Sequence, residues 1–134
     1  MKKLNDWKFR LSTFLTESAS KPFEWGENDC ALFMADAVKA QTGCDIAQDY
    51  RGKYKTEIGS KKALKKYGAG TLKQTVEATF KRRKGAPMIG DVVLIERPEG
   101  TICGIFTGAV VACVFKNGRY DISLSKEAKV YKVG

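Results

Sequence analysis

With 134 residues, 43% of them hydrophobic and 10% aromatic, the chain has material for one domain with its own core, which excludes wholesale disorder and a multidomain architecture. It contains no histidine, so the usual base at neutral pH and the commonest metal ligand are both missing. The net charge of +9 is concentrated in residues 51–84, which hold 12 Lys and Arg against Glu57 and Glu77.

Taken in chain order, Leu4, Trp7, Leu11 and the Phe14–Leu15 pair recur at helical spacing and predict a first amphipathic helix ending near 16–21. Pro22 marks a turn, and residues 23–26 read as a short extended or loop segment. Asn28 and Asp29 predict the cap of a second helix, with Ala31, Met34, Ala35 and Val38 on one face and Gly43 as its stop. Cys44 and Asp45 then cap a short turn toward Tyr50. Ser60 predicts the start of a third helix closed by Gly68. Leu72, Val76 and Phe80 stripe a fourth, running into the basic residues 81–84.

After punctuation at 85–90 the pattern changes to short β-rich runs at 92–96, 102–106, 109–115, 120–124 and 129–133. Turn signals split them, including Pro98-Glu99-Gly100 and the hairpin signature Asn117-Gly118. Helices followed by an antiparallel sheet predict one α+β domain over 1–134, mainly helical over 1–84 and sheet over 88–134.

No stretch reaches the ~18 apolar residues of a membrane span, so no transmembrane segment is expected. The start of the chain lacks the apolar run of a secretory signal, which points to synthesis in a reducing cytosol. There Cys30, Cys44, Cys103 and Cys113 stay free, although disulfides at Cys44, Cys103 and Cys113 remain open if the protein reaches the cell exterior. No CxxC pair occurs, and no metal or cofactor is expected. The basic segment favours encounter with anionic partners, with Arg51, Lys61, Lys62, Lys65, Lys66, Arg82 and Arg83 as candidate docking residues. It has no interleaved aromatic platform, so specific nucleic-acid binding is not expected.

The richest stretch is Trp25-Gly26-Glu27-Asn28-Asp29-Cys30, which sets a cysteine in the first turn of a helix. Unpaired amides and the helix dipole favour a thiolate there, as a cysteine nucleophile requires, whereas Asp29 opposes it. The alternative is a small core cysteine. Trp25 reads either as a cleft wall or as a core aromatic over the cysteine helix. Asp91 reads either as an orienting group or as a turn aspartate. Arg51 reads as a partner for Asp45 or Asp49, or as a docking contact.

The Asp-Cys helix start, the strand opening Gly90-Asp91-Val92-Val93-Leu94 and the segment Gly104-Ile105-Phe106-Thr107-Gly108 resemble the NlpC-type cysteine peptidases of the papain-like superfamily. Together with Thr42-Gly43-x-Asp45 and Arg51-Gly52-x-Tyr54, they resemble more closely still a compact family of phage tail-tip proteins, over about residues 23–134. The resemblance implies a papain-like α+β domain with a cleft at Trp25, Asn28, Asp29, Asp91, Ile102 and Cys103 and a candidate nucleophile at Cys30. In the peptidase pattern the base lies two residues before the strand glycine, at Ile102 here, with Cys103 beside it and no histidine to substitute. A Cys-His peptidase needs that base to take the thiol proton and later protonate the leaving amine. The resemblance therefore implies a structural tail-tip component in the virion, made in the host cytoplasm and docking on the tail hub or a distal tail protein. The alternatives are a cell-wall peptidase or amidase using Cys30 with a non-histidine base, and a module that holds a cell-envelope peptide or glycan without cutting it.

Overall fold

The computed structural model describes residues 1–134 and is α+β. Helix α1 (Trp7–Ser18) has no side-chain cap and buries Leu11 and Ser18, with Trp7, Phe14 and Leu15 half-buried on the core. Helix α2 (Cys30–Thr42) is capped where Leu32 N donates to Asp29 Oδ1 at 3.0 Å, and it ends at Gly43, left-handed at φ 76°. It is apolar on nearly every side and so lies at the centre. Met34, Ala37 and Val38 pack on the sheet, Leu32 and Ala35 on Ala47, Tyr54 and Ala63, and Phe33 on Ala112 and Val114. Each fully buried Leu, Val or Phe contributes roughly 1.5–3 kcal/mol, so this helix anchors the domain.

Helix α3 (Glu57–Tyr67) starts earlier than Ser60, because Thr56 caps it by accepting from Gly59 N at 3.0 Å. The Ser60 hydroxyl instead donates to the Glu57 carbonyl within the first turn. Gly68 ends the helix in an extended conformation rather than a left-handed one. Helix α4 (Leu72–Thr79) begins at a Thr71–Gln74 capping box. It stops short of the basic run, contrary to expectation. Phe80 turns extended and buries its ring, and Lys81–Arg82 form a short strand, β1, paired with Lys132 and Tyr131.

The remaining strands are β2 (Val92–Arg97), β3 (Gly100–Phe106), β4 (Val111–Phe115), β5 (Gly118–Ile122) and β6 (Lys129–Lys132). All pairings are antiparallel, in the order β1-β6-β2-β3-β4-β5. The Pro98-Glu99 and Lys116-Asn117 connections close two hairpins. Register sets which side chains meet the helices: Val92 opposes Ile105 and Leu94 opposes Cys103, and all four join Leu11, Met34, Val38 and Val76 in the main core. Val93, Ile95, Phe106 and Val111 form a second cluster, covered by Leu124 and Ala128. Burial on both faces explains why β2 opens as an unbroken apolar run.

Candidate functional site

Residues 23–29 wrap the head of α2 in a tight loop. Glu24 bridges Asn28, and the Asn28 amide donates to the carbonyls of Pro22 (2.9 Å) and Lys21 (3.3 Å). Gly26 is left-handed at φ 84°, and a Cβ there would sit 2.0 Å from the Tyr54 carbonyl oxygen, so this close approach requires glycine. Asp29 is buried and ties three segments together. Its Oδ1 accepts from Leu32 N, while its Oδ2 accepts from Gly26 N at 3.1 Å and from the Tyr54 hydroxyl at 2.5 Å. Burial first, then the Asp29 charge, pushes the Tyr54 hydroxyl far above its ordinary titration range, so it stays a donor.

Cys30 follows as the first residue of α2, half-buried on the wall of a cavity of about 800 Å³. Apolar side chains dominate that wall, among them Trp25, Ile46, Leu64, Leu72 and Phe115. Exposed Lys61, Lys65, Arg97 and Lys116 border it, with Glu57 and Glu99 as the acidic members of the rim. Trp25 thus serves both expectations: it lines the cavity and packs on Leu32 and Tyr54 beside the cysteine helix.

The group opposite Cys30 is Cys103. Its Sγ lies 3.3 Å from the Cys30 carbonyl oxygen, within hydrogen-bond reach of the Cys30 thiol, and it is fully buried. The motif spacing pointed to Ile102, but the pleat of β3 turns Cys103 toward α2. Ile102 instead packs with the second cluster and forms part of the cavity wall. The hydrogen bond from Cys103 draws the Cys30 thiol below its ordinary value, against burial and the Asp29 charge, which both raise it. The same contact and burial push Cys103 well up. Cys113 is pushed up to about 11 by burial. All four cysteines are free.

Three expected cleft residues do not line the cavity: Cys103, fully buried behind its wall, Asp91 and Asn28. Asp91 is fully buried and lines no part of the cavity; it pairs with Arg83 and accepts from Met88 N at 2.9 Å, which makes it a turn aspartate. Asn28 also lies off the cavity wall and serves the loop. Two expected docking residues are likewise engaged internally. Arg51 pairs with Asp36 at 2.6 Å and with Asp45 at 3.0 Å, and Arg83 is the partner of Asp91. Arg82 is exposed and stacks over the Tyr131 ring at 5.6 Å. Lys61, Lys62, Lys65 and Lys66 are exposed along α3. No three Cys, Asp or Glu side chains converge as a metal site. Sequence reasoning missed the role of Tyr54, whose only signal was its place in Arg51-Gly52-x-Tyr54.

Comparison with protein families matches residues 2–133 to the domain described as "Domain of unknown function (DUF6950)". The chain belongs to the DUF6950 family. That match takes in every helix and strand, so the Cys30–Cys103 site and the cavity lie within the DUF6950 domain. Comparison with curated proteins gives no match. No helix of this DUF6950 chain is long and apolar enough to cross a membrane.

Proposed function

We propose that the chain is a non-hydrolytic domain of papain-like, NlpC-type ancestry that serves as a structural component of a phage or prophage tail tip. In this reading it docks on the tail hub or a distal tail protein and resides in the virion. One observation carries the reading: the thiol at the helix head faces another thiol where a hydrolase needs a base. A thiol that already holds its proton has no site to receive a second one, and Cys103 is pushed toward that state. Tyr54 spends its proton on Asp29, and both Asp29 oxygens are committed to the cap, the loop and Tyr54. The docking surface in this reading is α3, where Lys61, Lys62, Lys65 and Lys66 stand exposed with no ion-pair partner.

A hydrolytic reading has its own support. Cys30 has a lowered titration point and opens onto a large cavity, as a nucleophile should. The two readings separate in one pair of assays. Incubation with peptidoglycan fragments should give no product, and Cys30→Ala should leave tail assembly and infectivity intact. Cleavage of murein peptides that Cys30→Ala abolishes would establish the enzyme instead. Affinity purification from tail-producing cells should recover the tail hub or a distal tail protein.

A further inference from the structure

We infer that Cys30 and Cys103 form an oxidisable dithiol, in which Cys30 reacts with a hydroperoxide from the cavity side and Cys103 resolves it to an intramolecular disulfide. Three features of geometry carry this. The two residues lie on different elements, the head of α2 and the middle of β3, yet Cys103 Sγ is 3.3 Å from the Cys30 carbonyl oxygen. Cys30 is half-buried on the cavity wall, whereas Cys103 is fully buried behind it, so only one of the pair meets a reagent first. Neither of the other two cysteines makes this contact. Cys44 is exposed beyond the far end of α2, and Cys113 shares its strand parity with Val111 of the opposite cluster and donates to the Tyr120 carbonyl.

The chemistry of the two thiols differs in the direction this sequence of steps requires. Cys30 is the more acidic, through the Cys103 hydrogen bond and its place at a helix N-terminus, so it supplies the thiolate. Its sulfur attacks one oxygen of the hydroperoxide, the O–O bond breaks, and with one proton the remainder leaves as an alcohol or water. Cys30 is then a sulfenic acid. The Cys103 thiol attacks that sulfur, the S–O bond breaks, and the hydroxyl leaves as water with the Cys103 proton. Two thiols are oxidised to one disulfide and one peroxide bond is reduced. The bond would tie the head of α2 to β3 and remove the thiol from the cavity wall.

The test uses the full chain, fully reduced, with limiting hydrogen peroxide, followed by alkylation and non-reducing peptide mass spectrometry. Cys30 and Cys103 should disappear together as one cross-linked species, at least about tenfold faster than the exposed Cys44 is lost. In Cys103→Ser, Cys30 should stop at a sulfenic acid trapped by dimedone; in Cys30→Ser, Cys103 should stay reduced over the same period. Recovery of Cys30 and Cys103 in separate, unlinked peptides after Cys44 has reacted would overturn the inference. That wild-type mapping decides the question even if a variant fails to fold.

Discussion

Removing the Tyr54 hydroxyl tests the organisation of the site directly. In Tyr54→Phe the ring keeps its place against Leu32, Ala35, Ala47 and Ala63, so packing is nearly conserved. What is lost is one hydrogen bond, 2.5 Å long, to a carboxylate that is only 2% exposed and whose other partners are backbone amides. Water has little access to replace it. A hydrogen bond to a buried charged acceptor is worth about 1.5–3 kcal/mol at neutral pH. At about 2.1 cal/mol/K of unfolding entropy per residue, this corresponds to a Tm lower by roughly 5–10 °C.

The cost should also depend on pH, and the sign follows from Tyr54 itself. Its hydroxyl titrates higher in the folded chain than the value of about 10 it has unfolded. The stabilisation is therefore complete below about pH 10 and is lost as pH rises toward the folded value, by up to about 1.4 kcal/mol per unit. Tyr50 and Tyr131 are raised too, so the readout is the difference between wild type and variant. Urea unfolding at a series of pH values measures it. The gap should be full at pH 7 to 9 and close above about pH 10. A gap under about 0.5 kcal/mol at pH 7, or one that does not narrow in alkali, would refute the account of Asp29 and Tyr54.

Three other substitutions probe separate parts of the chain. Gly26→Ala places a Cβ 2.0 Å from the Tyr54 carbonyl oxygen at a left-handed position and should cost more than about 3 kcal/mol in urea unfolding. Arg83→Met leaves the Asp91 carboxylate buried without its charge partner and should cost about 3–5 kcal/mol, with much of the loss recovered when Asp91→Leu is added. Glu at all four of Lys61, Lys62, Lys65 and Lys66 should change stability by no more than about 1–2 kcal/mol, since none is buried or ion-paired, while, if the proposed docking on a tail protein holds, abolishing co-purification with it.

Elements with local causes were legible from the residues alone. The Asp29 cap, the Gly43 stop and the two hairpins each depend on groups within a few positions, and each stands where it was expected. Features built across long separations were not. Strand β1 exists because Lys81 and Arg82 find Lys132 and Tyr131, a pairing that no pattern within a basic run announces. Ser60 was expected to start α3, but Thr56 caps it four residues earlier, with Glu57 in the first turn favoured by the helix dipole. Asp91 carried two readings, orienting group or turn aspartate; the bond from Met88 N is the local one the second reading expects, whereas its pairing with Arg83 had no signal in the sequence. Motif spacing chose Ile102 over Cys103, because spacing counts residues whereas strand parity decides which side chain meets a helix. Tyr54 reaches Asp29 over 25 residues, a contact visible only after folding.

The cavity and the basic face are not independent, because α3 contributes to both. Leu64, Lys61 and Lys65 form part of the cavity wall, and Lys62 and Lys66 extend the same exposed helix. Of the 12 basic residues in 51–84, Arg51, Lys73 and Arg83 are engaged in ion pairs, which leaves the α3 lysines among the unpaired remainder. A partner drawn to those lysines must therefore approach the rim that gives access to Cys30. If docking on α3 is the function, assembly into the tail should slow alkylation of Cys30 while leaving exposed Cys44, at the opposite end of α2, at its free rate. Differential alkylation of assembled and free protein measures that ratio. Equal protection of both thiols would move the docking surface off α3, and protection of Cys44 alone would place the partner at the other end of the helix.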